Sequence, residues 1–209
     1  MKNSELYLQR TERNCVYNIQ PIQNIPSVMD YGLLSHKRAE FIRNHISLAN
    51  EDVQDLRAVK ILPNGRRLHE YVNLFIDYWN PMLYTLCKNK TVGELCILEI
   101  SLAVMENNGV YISSGNAAAH RTEFYNLPDG ISKLDFESIF RRSWVEGFPE
   151  HGISYEELKI IKNAELLVPD VIPPDHISRV IVYDASAKNR LINDGIAEDS
   201  IEINPKYFF

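Results

Sequence analysis

One carboxylate, Glu165, stands at the mouth of an apolar run, Asn163-Ala164-Glu165-Leu166-Leu167-Val168-Pro169. The segment offers it no obvious basic partner. Ionised carboxylates are costly to desolvate, so a residue placed here is either the outward-facing polar position of an alternating strand or is kept for chemistry. Taken alone, the segment favours the outward-facing reading. The cations are the second group with chemical potential. They cluster as Lys37, Arg38 and Arg43, then Arg57, Lys60, Arg66 and Arg67, then Arg141 and Arg142, then Lys159 and Lys162. A groove built from them would bind a phosphate backbone in a salt-sensitive way; solvated loop charges are the competing reading.

Spacing speaks against a zinc site, and no local signature favours Cys/His catalysis. Cys15, Cys87 and Cys96 form no CxxC pair and read as free thiols in a reducing cytosol. His69-Glu70 lacks the second histidine of a zinc-protease helix. The chain holds no glycine-rich dinucleotide fingerprint, Walker loop or nucleophile elbow, so Rossmann, P-loop and α/β-hydrolase readings recede. A net charge of -6 argues against general adhesion to nucleic acid and leaves only a local basic surface.

The elements that must position these groups follow from periodicity. Strands are expected at Val16–Ile19, Tyr71–Ile76, Leu95–Ile100, Val110–Ser113, Leu166–Val168 and Val180–Tyr183, with a closing strand from Ile201–Ile203 and Tyr207–Phe209. Helices are expected from Asn24-Ile25-Pro26 to Gly32, from Asn80-Pro81 through Cys87, and from Ala185 to Asn193. Residues 35–67 read as polar and irregular, and residues 134–162 as helical or irregular. About six short strands with interspersed helices predict an α+β domain with a mixed or antiparallel sheet. The 209 residues, 45% hydrophobic, show no composition break, so one domain over 1–209 is expected. No apolar leader follows Met1–Glu5, and no stretch approaches the roughly 20 residues that span a bilayer. A cytoplasmic protein without membrane contact is expected.

Five segments in order resemble the DarT-type toxins, enzymes that ADP-ribosylate bases in single-stranded DNA using NAD. They are Tyr17-Asn18-Ile19-Gln20 through Asn24-Ile25-Pro26 to Gly32-Leu33-Leu34; Val53-Gln54-Asp55-Leu56-Arg57; Leu68–Phe75 running into Asn80–Tyr84; Ser114-Gly115-Asn116-Ala117-Ala118; and Ala164–Pro169. The resemblance runs from about residue 14 to the C-terminus. It implies an ADP-ribosyltransferase-like fold: a split, mostly antiparallel β-core with flanking helices around an NAD cleft.

The same resemblance assigns roles. Glu165 matches the catalytic glutamate, a fixed anion for the positive charge that develops as the nicotinamide–ribose bond breaks. Arg57 matches an active-site arginine suited to a pyrophosphate or the reacting base. Tyr17, Asn18, Gln20 and Asn24 join Arg57 as the expected NAD contacts. Segment 137–163 falls where the family places its substrate-recognition loop. There Phe140, Trp144, Phe148 and Tyr155 interleave with Arg141, Arg142, Lys159 and Lys162, a pattern that suits unpaired bases; Phe140 and Trp144 as plain core at i and i+4 is the alternative. Asn116, Arg141, Trp144 and Lys162 are the expected DNA contacts. Two positions depart from the family pattern. Asn18 replaces the histidine of a Tyr-His-Ile strand, and Asn116 stands where many thymidine-modifying relatives carry histidine. Asparagine cannot take a proton near neutral pH, so guanine is favoured over thymine as the acceptor. The resemblance also implies a toxin paired with an antitoxin that removes ADP-ribose, and no metal. An RNA or protein acceptor, or a non-enzymatic nucleic-acid-binding module, are the alternative functions.

Overall fold

Strands of five to seven residues with most positions buried build the centre of the molecule, because strands covered on both faces need no strict polar alternation. The computed structural model describes residues 1–42, 46, 48 and 51–209, with the backbone alone at Glu51 and Asp52. In chain order the helices are α1 (Asn3–Thr11), α2 (Ile25–Tyr31), α3 (His36–Ala39), α4 (Glu51–Ala58), α5 (Pro81–Asn89), α6 (Asp129–Lys133), α7 (Phe136–Phe140), α8 (Tyr155–Ile161) and α9 (Ala185–Asn193). The strands are β1 (Cys15–Pro21), β2 (Leu33–Leu34), β3 (Tyr71–Phe75), β4 (Leu95–Ser101), β5 (Tyr111–Ser113), β6 (Phe124–Asn126), β7 (Glu165–Pro169), β8 (Val171–Ile172), β9 (Ile177–Val182) and β10 (Ile201–Ile203).

Eight strands form one sheet in the order β10-β9-β4-β1-β3-β7-β5-β6, and β2 and β8 form a small second sheet. Every pairing is antiparallel except that of β10 with β9. The fold is therefore α+β with a mostly antiparallel core. It is also split. β1 runs beside β4 over seven residue pairs but meets β3 at the single pair Tyr17 and Phe75. Beyond that pair the two strands diverge, and a polar cleft opens between them.

Alternate residues of the strands feed opposite faces. Val16, Val72, Leu74, Cys96, Leu98, Leu166, Val168 and Val180 enter the larger core with α1, α2 and α9. Tyr17, Ile19, Phe75, Leu95, Ile97 and Ile181 enter a smaller one under α5 and the C-terminal residues. At about 25 cal/mol per Å² of buried apolar surface, these two faces supply the main stabilisation of the sheet.

Three expectations need correction. Residues 35–67 are not wholly irregular, since α3 and α4 lie there. The inward face of α4 is Val53, Gln54, Arg57 and Ala58, a helical spacing with too few apolar members to register as an amphipathic stripe. Tyr207–Phe209 adds no strand: Pro205 has no N–H for a ladder, and a 3-10 turn over Pro205–Tyr207 folds the end back. There Tyr207 stacks on Tyr78, and Phe209 lies against Trp79 with ring centroids 3.9 Å apart. The strand count exceeds six because β2, β6 and β8 are too short to carry a periodic signal. Arg43 lies outside the described residues. No helix among the described residues is long and apolar enough to cross a membrane.

Candidate active site

Glu165 opens β7, opposite Phe75 of β3 and next in line to Ser113 of β5. Its backbone N–H donates to Ser113 Oγ at 3.0 Å, and the same hydroxyl donates to the Gly115 carbonyl at 2.6 Å. This ties the strand to the turn that follows β5. That turn returns a donor: the Ala117 N–H reaches Glu165 Oε1 at 2.9 Å. The turn packs so closely that a Cβ on Gly115 would lie 2.8 Å from the Ile160 carbonyl oxygen.

The side chain of Glu165 is 2% exposed, so the outward-facing reading does not hold. Nor is it without a basic partner. Arg57, 108 residues away, donates from Nη1 to Oε1 and from Nη2 to Oε2, each at 3.1 Å. Two parallel charge-assisted bonds compensate burial where one would not. Arg57 sits in the last turn of α4, where a cation also suits the helix dipole. It is 12% exposed, so it is not a solvent-facing loop residue.

Arg57 lines the cleft between β1 and β3, together with Asn18, Gln20, His36, Gln54, His69 and Asn73. Glu165 does not line it and is reached through the guanidinium. A relay of amides forms one wall. Asn18 Nδ2 donates to the Asn73 carbonyl, Gln20 Nε2 donates to Asn18 Oδ1, and Asn24 Nδ2 donates to Gln20 Oε1, at 2.9, 2.8 and 3.0 Å. Asn24 closes the relay with two bonds to the backbone of Ile46. The structure thus joins Asn18, Gln20 and Asn24 into one network and sets Arg57 across the cleft from it. Tyr17 is not part of it. Its side chain falls on the opposite face of β1, in edge contact with Tyr78 and Tyr207, and burial drives its phenol well above the usual range.

The expected DNA contacts are scattered. Asn116 lies in the turn beside Glu165, but its Oδ1 accepts from the Ala118 N–H and only Nδ2 is left for a ligand. Arg141 and exposed Arg142 follow α7 and lie over the rings of Phe148 and Trp79, at 4.0 and 4.4 Å from the centroids. Trp144 is buried with Phe148 and Leu158, as the core alternative expects. Lys162 needs correction. It is 0% exposed, and its ammonium donates to the carbonyls of Ile139 and Arg141 at 2.6 Å, with Asp77 at 3.7 Å. An ammonium so enclosed cannot follow a phosphate backbone.

Sequence reasoning missed the groups that act through the backbone. Ala117 matters for its N–H and Asn73 for its carbonyl, and neither is visible in side-chain type. His69, weighed only as a zinc ligand, lines the cleft. One ring nitrogen serves the Gln54 carbonyl, and Nε2 is buried with no partner among the described residues. Burial, with His36 and Arg57 nearby, holds its imidazole below the ordinary value. His69 is therefore a neutral acceptor.

A family model described as "ssDNA thymidine ADP-ribosyltransferase, DarT" matches residues 17–209. The chain belongs to the DarT family. A DNA ADP-ribosyl transferase–DNA ADP-ribosyl glycohydrolase fusion protein of Thermosipho africanus (strain H17ap60334) is 31% identical over 206 residues, which is 93% of this chain and 49% of the relative. A DNA ADP-ribosyl transferase of Thermus sp. (strain 2.9) is 27% identical over 80% of both chains. Among solved structures, Thermosipho africanus DarTG in complex with ADP-ribose matches with a TM-score of 0.78 at 26% identity, over 94% of this chain and 51% of that one. Thermus sp. 2.9 DarT in complex with ADP-ribosylated ssDNA matches with a TM-score of 0.78 at 20% identity, over 95% and 97%. The chain thus spans about half the length of the Thermosipho proteins it matches. The DarT match begins within β1, takes in every later element and leaves α1 outside it.

Proposed function

We propose that the protein transfers ADP-ribose from NAD to a base in single-stranded DNA, with residues 1–209 acting as one ADP-ribosyltransferase domain. The observation that carries this reading is the Arg57–Glu165 pair at the edge of a polar cleft in a DarT-family chain. The structures of the Thermus homologue with NAD+ and with ADP-ribosylated ssDNA support the same choice of co-substrate and acceptor.

The cleft suits that co-substrate chemically. The amides of Asn18, Gln20 and Asn24 and the acceptor His69 match ribose hydroxyls and a carboxamide. Arg57 spends two of its five N–H donors on Glu165 and keeps the others for a pyrophosphate or a base. NAD supplies an electrophilic ribose carbon whose positive charge grows as nicotinamide departs. Glu165 supplies the fixed anion. Ala117 and Arg57 hold its carboxylate in one orientation before the reaction begins, while Ser113 fixes its backbone, which is the condition for stabilising a transition state more than a ground state. To bind the ribose 2′-hydroxyl, Glu165 must exchange part of its bond to Arg57, so the two residues work as a unit.

Guanine is the acceptor we favour, with thymine as the rival. Thymine N3 needs a base to remove its proton, and Asn116 cannot be that base. Its free Nδ2 donor suits the acceptor edge of a purine. Arg141 and Arg142 are the proposed phosphate contacts. A partner ADP-ribosyl glycohydrolase, by analogy with the Thermosipho fusion protein, would reverse the modification and make the pair a toxin and its antitoxin. The test is incubation with NAD and single-stranded oligonucleotides carrying one guanine or one thymine, read by mass spectrometry. One ADP-ribose on the guanine strand is expected. Modification of thymine alone would return base identity to other residues than Asn116, and adducts on RNA or protein with none on DNA would sink the acceptor assignment.

A further inference from the structure

The buried cation Lys162 has no part in the chemistry above, yet its surroundings are built with care. Its ammonium lies between three elements: the end of α8, the turn after α7 and the chain beyond β3. It donates to the Ile139 and Arg141 carbonyls, which are left without helical partners at the end of α7. Asp77, itself buried, provides the counter-charge. A second donor completes the arrangement: the indole N–H of Trp79 reaches the carbonyl of Arg142 at 2.8 Å. Three carbonyls within four residues are thus held by two donors, one just ahead of β7 and one just past β3. Those strands meet at Glu165 and Phe75. The side chains carried by the same turn, Arg141 and Arg142, lie over Phe148 and Trp79.

We propose that Lys162 is a positioning residue that clamps the Ile139–Arg142 turn to the strand end bearing Glu165, and so sets where the DNA backbone is held relative to the carboxylate. The inference rests on the activity proposed above. A surface lysine at this position would add to affinity directly and uniformly. A buried clamp acts through the placement of two arginines and leaves the NAD cleft unchanged.

The experiment compares the wild type with K162M and with D77N/K162M. The single variant leaves Asp77 as an unpaired buried charge and can fail on stability alone. The double variant carries no such charge and still leaves the carbonyls without their donor. In the double variant the KM for a single-stranded oligonucleotide is expected to rise about tenfold, the loss of roughly one charge-assisted hydrogen bond, while the KM for NAD stays within about twofold. Backbone amides of residues 139–148 are expected to exchange with deuterium faster in the same variant. A well-folded double variant with unchanged KM for DNA and unchanged exchange would overturn the clamp. If the wild type modifies no DNA, the activity reading fails, and exchange alone decides the clamp: faster exchange upholds it and unchanged exchange rejects it.

Discussion

Arg57 and Glu165 direct most of their hydrogen bonding at one another, which makes them hard to read singly. In the proposed mechanism, Glu165→Ala removes the anion made ready for the transition state. Its transfer rate is expected to fall by at least about 10²-fold with NAD affinity retained, as separate turnover and binding measurements would show. Arg57→Ala has a second consequence, because it strips two of the three donors from a carboxylate that is 2% exposed. We expect a loss of stability of up to about 3 kcal/mol together with lost activity. Arg57→Ala/Glu165→Gln should recover part of that stability and none of the activity. Equal melting temperatures for the arginine variant and the wild type would show that the pair contributes nothing to the fold. Glu165 was legible in the sequence only through the family resemblance, since the local pattern pointed outward. Its partner lies 108 residues away, beyond the reach of any local window.

At the scale of the element, the turn after β5 is the sensitive part. Gly115 leaves no room for a side chain against Ile160, and the Ala117 N–H that orients Glu165 hangs from the same turn. Gly115→Ala should therefore push the turn away and cost activity out of proportion to stability. The expectation is a tenfold or greater fall in transfer, on the scale of about 10² for a small misplacement, with a fall of only a few degrees in melting temperature. Proportional losses of both would mean that the turn is simply core. The central strands and α5 were legible because their apolar residues are nearly contiguous or their caps explicit, as with Asn80. Helix α4 was not. Its buried face is made of the polar residues that serve the cleft, so function erased the signal that periodicity depends on.

For the whole molecule, the α+β class and a mixed or antiparallel sheet were legible from strand count and spacing, whereas the mostly antiparallel order and the split between β1 and β3 came only with the family resemblance. Charge and burial set its response to pH. Burial raises the pKa values of Cys96, Tyr7 and Tyr17 well above their ordinary range. Above about pH 9 the unfolded chain loses these protons while the folded chain keeps them, so stability falls as pH rises. Lys162 acts in the opposite sense: burial pushes its ammonium down to about 8. From there to the ordinary lysine range only the unfolded chain holds that proton, and its share of stability grows with pH. Three acids outweigh one lysine, so the melting temperature measured by calorimetry should drop steeply between about pH 9 and 11. A level profile would mean that these groups titrate normally. The split sheet has a mechanical consequence as well. Its two halves, β10-β9-β4-β1 and β3-β7-β5-β6, pack their side chains into common cores, but among the described residues the ladder between β1 and β3 amounts to one residue pair, with the Asn18–Asn73 bond beside it. The amide relay belongs to the first half and Glu165 to the second, so the distance between binding wall and carboxylate is set across a seam held by side-chain packing with few hydrogen bonds of its own. A dinucleotide lying in that seam and bonded to both banks would supply the rungs that the ladder lacks, stiffening the molecule along the one line where catalytic alignment depends on it.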